Sequence, residues 1–199
     1  MDSTKEKILK TSELLFAKKG YDATSVEEIT KRANITKSLV YYYFRSKKEI
    51  LKTLFSSFEA ELLDVKQKAF GVLFSEDEEK DYKKKLKKVM LQITFPFVEK
   101  WKNVIKIALV EEIKYFSKGP LFRYFDINLK IAGELYEKHN IKGDFSEENI
   151  TVDFFVVFLP IIGYSAFVDE WCAHYNFDKN KVKELIADKI LLNYKEFFI

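Results

Sequence analysis

Side chains able to make or break bonds are few in this 199-residue chain: one cysteine, Cys172, and two histidines, His139 and His174. Cys172 and His174 stand two apart, yet no acid or second nucleophile completes a catalytic spacing around either histidine. A cysteine with so little positive charge beside it reads as a small buried apolar residue. A single cysteine excludes an intrachain disulfide framework and any cysteine-rich zinc or iron–sulfur site. No glycine-rich phosphate loop is present. The sequence therefore predicts no catalytic site, no metal, no cofactor and no enzyme. What remains is the chemistry of charge. Residues 1–50 hold 11 Lys+Arg against 7 Asp+Glu, whereas residues 51–199 hold 23 against 24. Between Ile29 and Lys48 stand six basic residues (Lys31, Arg32, Lys37, Arg45, Lys47 and Lys48) and no acidic one. A local basic patch on a chain of net charge +3 suits a phosphate-bearing partner, although charge alone equally describes a solvated helix face.

The elements that must position those cations are written in the same stretch. Ser3-x-x-Glu6 is a capping box opening a helix whose apolar face carries Ile8, Leu9, Leu15 and Phe16. Lys18 and Lys19 suit its C-terminal dipole, and Gly20 follows as a C′ residue. Ser25-x-x-Glu28, or Thr24-x-x-Glu27 in a shifted frame, starts a short second helix with Val26, Ile29 and Ala33 inward. Asn34 falls where a tight turn needs positive φ, which asparagine tolerates. Thr36 caps a third helix with Ile35, Leu39, Val40 and Tyr43 packing inward, and Ser46 caps a fourth. Helices two and three, about three residues apart, form a helix-turn-helix whose third helix presents its first turn to a DNA major groove. Lys37 and Ser38 then lie where base edges would be, flanked by Thr24, Ser25, Tyr42 and Lys47 as holders of phosphates.

This stretch resembles the TetR-type transcriptional repressors. The resemblance is carried by Phe16-Ala-Lys-Lys-Gly-Tyr21, by Ala23-Thr-Ser-Val-Glu-Glu-Ile29 and by Ala33-Asn-Ile-Thr-Lys-Ser-Leu-Val-Tyr-Tyr-Tyr-Phe-Arg-Ser-Lys-Lys-Glu-Ile50. It implies backbone contacts to DNA from Tyr41, Tyr42 and Lys47, and base-edge contacts from Thr36, Lys37 and Ser38. Three departures stand out: Asn34 replaces the usual turn glycine, Leu39 occupies a position commonly small, and no basic arm precedes the first helix.

The expected division is a DNA-binding domain over 1–50 and a larger helical domain over 51–199, in an all-α protein of about nine helices. In the second part, Pro96 predicts a break or kink, and helices are expected over about 97–117, 121–139, 147–173 and 179–197. The block from Ser75 to Lys88, acidic then basic, reads as a solvated loop with the first turns of a helix. The longest uncharged run, Phe154 to Val168, would span about 22 Å as a helix, short of the roughly 30 Å of a bilayer core. With Pro160 and Gly163 inside it, the run reads as a buried helix. No signal peptide is evident, so a cytoplasmic protein without a membrane partner is expected. A helix apolar on nearly every side is covered on every side, by core or by a partner. The resemblance implies a homodimer through the last two long helices, reading a pseudo-palindromic operator in double-stranded DNA. It also implies a cavity for a small effector, whose arrival releases the DNA. The aromatic surplus, with 19 Phe and 11 Tyr, offers Trp101, Tyr115, Phe116, Phe122, Phe125, Phe155, Phe158, Tyr164 and Trp171 as lining for an apolar or flat aromatic ligand, or simply as ordinary core. Glu111, Glu112, Asp169 and Glu170 lie near these aromatics in sequence and could pair with a cationic ligand. The competing reading is a non-enzymatic helical partner-binding or structural protein.

Overall fold

The computed structural model describes residues 3–75, 81–115 and 119–193. Among them the chain forms nine helical rods and no strand. These are α1 (Ser3–Lys19), α2 (Val26–Ala33), α3 (Lys37–Tyr43), α4 (Lys47–Leu73), α5 (Tyr82–Val89 continued by Met90–Thr94 and Phe95–Lys100), α6 (Lys102–Tyr115), α7 (Pro120–Lys138), α8 (Glu147–Tyr175) and α9 (Lys179–Asn193). Two compact units result. One comprises Met1–Glu61 and Asn103–Arg123, the other Leu62–Lys102 and Tyr124–Ile199. The first unit is thus larger than the 1–50 segment expected from the motif. It takes in the first turns of α4 and the whole of α6, because Asn103 donates to Glu13 of α1 (2.8 Å) and Lys114 pairs with Asp22 (2.8 Å).

In the first unit the apolar faces read from the sequence are buried: Ile8 and Phe16 of α1, Ile29 and Ala33 of α2, Val40 of α3, and Ile50, Leu54 and Phe58 of α4. Gly20, at φ 91°, ends α1 with its N–H on Phe16 O, a conformation that suits a residue without Cβ. Asn34, at φ 50° and ψ 57°, closes α2 in the left-handed region, as the turn required. At the other end of the unit, Gly119 lies so near Glu112 that a Cβ would come within 2.7 Å of the Glu112 Cα. That closeness lets Glu112 Oε2 accept the Leu121 N–H (2.8 Å) at the start of α7. Pro120 stands at the first position of that helix, where its missing N–H costs nothing.

The second unit departs from the sequence reading at its prolines. Pro96 does not end a helix. The rod runs through it and breaks at Trp101 instead. A proline ring collides with the carbonyl four residues earlier in an α-helix. For Pro96 that residue is Gln92, inside a π-wound turn over Met90–Thr94; for Pro160 it is Val156, inside a π run over Asp153–Phe158. Both rods therefore widen just upstream of the proline and continue past it. α8 is held to α5 by Tyr164, whose hydroxyl donates to Glu99 (2.6 Å), and by Ser165, which donates to Val98 O (2.6 Å). Lys183 of α9 reaches the same Glu99 (2.9 Å). Asp169 takes Lys102 (2.7 Å) and Lys179 (2.8 Å).

α8 is long and apolar enough to cross a membrane by length and composition alone, and only 22% of its most apolar window is buried in the single chain. Of the two covers expected for this helix, core or partner, its own chain supplies only part. Phe155, Phe167, Trp171 and Tyr175 stand exposed along it.

Two outcomes follow from these local features. Asn34→Gly is expected to leave the urea midpoint almost unchanged, whereas Asn34→Val should lower stability by about 1–2 kcal/mol, because a β-branched residue resists positive φ. The hydrogen bonds from Lys102 and Lys179 hold the Asp169 carboxyl down at about 2. Its folded value lies below that of an unfolded aspartate, about 3.9, so its contribution is present above that value and vanishes as pH falls from about 4 to 2. Solvent screening keeps it modest, since the Asp169 side chain is 40% exposed. Acid titrations of Asp169→Asn and the parent, followed by circular dichroism, should diverge only above that window.

Candidate nucleic-acid interface

α3 has seven residues, too few to persist alone in water, so its direction is set by its two ends and its buried side. Upstream, Ser25 and Glu28 close a reciprocal capping box: Ser25 Oγ accepts the Glu28 N–H (3.1 Å) and Glu28 Oε2 accepts the Ser25 N–H (2.9 Å). The left-handed Asn34 turns the chain, and Thr36 Oγ1 accepts the Leu39 N–H (3.3 Å) to begin α3. Val40 and Phe44 are buried, with Leu39 and Tyr43 half-buried. The opposite side carries Thr36, Lys37, Ser38, Tyr41 and Tyr42, all exposed. Lys37 lies one turn before Tyr41 and Ser38 one turn before Tyr42, so these five form one continuous outward surface.

Tyr42 is 79% exposed and Tyr41 46%. A large aromatic ring so little buried adds nothing to the core, and its edge contact with Tyr43 only orients it. Lys37 pairs with Glu27 in the first turn of α2, which raises the affinity of its ammonium for its proton and holds the Glu27 carboxyl below its usual range. Both partners are largely exposed, so the pair restrains Lys37 lightly and leaves it exchangeable for another anion.

Two of the expected contact residues are turned inward. Thr24 is buried, and its hydroxyl donates to Gly20 O (2.9 Å). Lys47, half-buried at the start of α4, donates to the carbonyls of Tyr21 (2.8 Å), Thr24 (2.8 Å) and Asp22 (3.4 Å). Its ammonium also lies 4.3 Å from the centre of the Tyr21 ring. The α1–α2 loop is thereby fastened to α4 through a cation that the spacing alone marked as a phosphate holder. Ser25 stays exposed, although its side chain serves the cap. The Glu27–Lys37 pair also went unread, since its ten-residue separation belongs to no local motif.

Residues 8–54 match the family model of the bacterial regulatory proteins of the tetR family. That segment is similar to the DNA-binding part of this family. The chain is 47% identical over 51 residues to the uncharacterized HTH-type transcriptional regulator YerO of Bacillus subtilis, covering 26% of this chain and 18% of that protein. It is 48% identical over 46 residues to the biofilm operon icaADBC negative transcriptional regulator IcaR of Staphylococcus aureus, covering 23% and 25%. The chain thus spans about a quarter or less of the length of these relatives. A transcriptional regulator from Aquifex aeolicus shares the fold over 96% of this chain and 99% of its own, with a TM-score of 0.61 and 23% identity. The regulator FadR of Bacillus subtilis, solved with stearoyl-CoA, superposes with a TM-score of 0.60 over 94% and 97%, at 18% identity.

Outside residues 8–54, the described aromatic residues expected to line one cavity differ in burial and packing. Phe125 and Phe158 pack together, with Phe154 between them (ring centroids 5.0–5.8 Å). Tyr164 is core, hydrogen-bonded to Glu99, and burial with that carboxylate pushes its hydroxyl pKa upward. Tyr115, Phe122, Phe155 and Trp171 are exposed, Trp101 is half-buried, and Phe116 lies outside the described residues. Of the carboxylates considered for a cationic ligand, Glu111 pairs with Lys114 (3.0 Å), Glu112 caps α7 and Asp169 holds two lysines. One charged residue of the second unit, Lys66, was not singled out by spacing. Its signal was its place in the i, i+4 stripe Leu54, Phe58, Leu62, Lys66, Phe70 of α4.

Lys47→Ala should therefore act first on the domain's own stability, lowering it by about 1–3 kcal/mol as the carbonyls lose a charged donor. Thermal melts of that variant measure the loss, which a purely phosphate-binding lysine would not produce.

Proposed function

We propose that this chain is a homodimeric, sequence-specific DNA-binding repressor, freed from a pseudo-palindromic operator by a small apolar or aromatic effector. One observation carries the reading: Thr36, Lys37, Ser38, Tyr41 and Tyr42 stand outward on a helix whose opposite side and both ends are locked. Such a surface matches a major groove, with Lys37 and its neighbours Thr36 and Ser38 at base edges and Tyr41, Tyr42 and the exposed start of α2 at Ser25 on the phosphates. Thr24 and Lys47 act from beneath, as positioning residues. The similarity of this segment to IcaR, a negative transcriptional regulator, supports repression.

Dimerisation is supported by the exposed apolar row of α8 and by Leu185 and Leu192 of α9, both largely exposed. A large apolar surface of this kind is ordinarily covered by a partner. A second copy also supplies the second reading head that two half-sites about 34 Å apart require. An apolar effector is supported by the Phe125, Phe154 and Phe158 cluster inside the second unit and by the likeness in fold to FadR, which was solved with an acyl-CoA.

Selection of random duplexes by the purified protein at about 150 mM salt tests the reading. The expected product is a two-fold pseudo-palindrome. On that site Lys37→Ala should relax discrimination at one base position per half-site by about tenfold. Tyr42→Ala should weaken all sequences alike and leave the salt slope unchanged, since a phenol displaces no counterion. Recovery of no enriched sequence, or variants that bind indistinguishably from the parent, would refute this docking.

A further inference from the structure

Lys37, the first residue of α3, is the cation that the outward face offers to base edges, and its ammonium does not stand there alone. It is hydrogen-bonded to the carboxylate of Glu27, ten residues back in the first turn of α2. Both side chains are more than half exposed, Lys37 at 53% and Glu27 at 63%. The two tips therefore lie side by side at the surface, and whatever reaches the ammonium also meets the carboxylate. The neighbouring acid, Glu28, is differently employed: it closes the capping box on Ser25 and pairs with Lys19. An ammonium carries several donors and a carboxylate several acceptor sites, so the bond between Lys37 and Glu27 leaves each able to take a further partner. A major groove offers such partners in a fixed order. Across a G·C pair it shows guanine N7 and O6 as adjacent acceptors, with the cytosine N4 amino donor beside them.

We infer that Glu27 is a second specificity-determining residue, accepting from the cytosine N4 amino group of the same G·C pair whose guanine accepts from Lys37. The inference rests on the reading of α3 as the DNA-recognition helix and names the base pair that this corner of it selects. Its argument is adjacency. The cytosine amino group lies one hydrogen bond away from guanine O6, and the carboxylate and ammonium that would meet them are already in hydrogen-bond contact. A G·C pair thus satisfies both charges at once. An A·T pair leaves the ammonium only adenine N7, and sets the carboxylate between the adenine amino group and the acceptor O4 of thymine. Elsewhere on the duplex the carboxylate faces acceptors and phosphates, where its charge is unpaired or repelled. Off the site, Glu27 also holds Lys37 back from the phosphates, so the pair contributes to discrimination more than to affinity.

The operator recovered by duplex selection supplies the probes, altered at the position where discrimination depends on Lys37. One duplex carries N4-methylcytosine there, whose methyl replaces the groove-facing amino hydrogen while base pairing is kept. A second carries 7-deazaguanine, which lacks the N7 acceptor. By fluorescence anisotropy at about 150 mM salt, the full-length parent should bind the first about tenfold more weakly than the unaltered operator, and the second several-fold more weakly. Glu27→Ala should be indifferent to the methyl and still lose affinity on 7-deazaguanine, and Lys37→Ala should show the reverse. On unrelated duplexes Glu27→Ala should bind more tightly than the parent and with a steeper salt slope, because Lys37 is then open to a phosphate. Circular dichroism checks the fold of each variant, and Glu27→Met, a helix former of similar length, takes the place of Glu27→Ala if that variant unfolds. An operator with A·T or no Lys37-dependent base at that position, a parent that tolerates the methyl, or a Glu27→Ala protein still sensitive to it would overturn the assignment. Weaker binding of unrelated duplexes by Glu27→Ala would do the same. Failure to select any operator removes the regulator reading and this assignment with it, whereas a selected operator bound regardless of the methyl removes this assignment alone.

Discussion

The three carbonyls gathered by Lys47 are the constraint on which the candidate DNA-facing surface depends. α3 is seven residues long, and a helix of that length has no stable direction of its own. Its place is imposed by what surrounds it, and the α1–α2 loop is the part of that frame with least secondary structure. Lys47 reaches back from the first residue of α4 to the carbonyls of Tyr21, Asp22 and Thr24, and its ammonium lies over the Tyr21 ring. Charge-assisted bonds to carbonyls are stronger than neutral ones, and here one cation gathers three loop carbonyls, of which Tyr21 O also accepts the Thr24 N–H (3.2 Å). Thr24, buried with its hydroxyl on Gly20 O, completes the closure from inside. The rigidity beneath the outward face of Thr36, Lys37, Ser38, Tyr41 and Tyr42 is thus produced by two residues that do not belong to that face.

Legibility in the sequence follows the range of the forces involved. The capping box of Ser25 and Glu28, the Thr36 cap, the left-handed Asn34 and the terminal Gly20 each concern residues within four positions of one another, and each was readable. The outward face of α3 was readable too, because a short amphipathic helix assigns sides by period. The partners of Lys47 are 23 to 26 residues away and those of Asn103 and Lys114 about 90, so no local pattern announced them. A half-buried lysine donating to carbonyls and an exposed one facing phosphates are the same letter in the same basic stretch. The grouping of α6 with the N-terminal unit was hidden for the same reason.

The prolines show the opposite failure, where a local rule was applied and the structure found a way around it. Pro96 and Pro160 are incompatible with an uninterrupted α-helix; the sequence reading placed a break or kink at Pro96 and ran a helix over 147–173 through Pro160. In each case the carbonyl that would collide lies in a π turn, so the rod is wider by one residue at that place and runs on. The aromatic surplus left cavity lining and ordinary core both open, and packing spends Tyr164 on Glu99 and leaves Phe167, Trp171 and Tyr175 in an i, i+4 row along the outside of α8. Such a row is the ridge that a neighbouring helix packs against, and its exposure in the single chain is the mark of an unfinished surface.

The second unit is incomplete inside as well as outside. An all-apolar stripe on α4 would pack more stably than one carrying Lys66, because the desolvation of an ion is large and its neutralisation by Asp153 only offsets it. Tyr82 and Tyr136, whose hydroxyls are also withdrawn from water, enlarge that cost. The π run that begins at Asp153 lies in the same rod as the exposed apolar row, so the widened turn beside Pro160 and the unfinished outer surface belong to one helix.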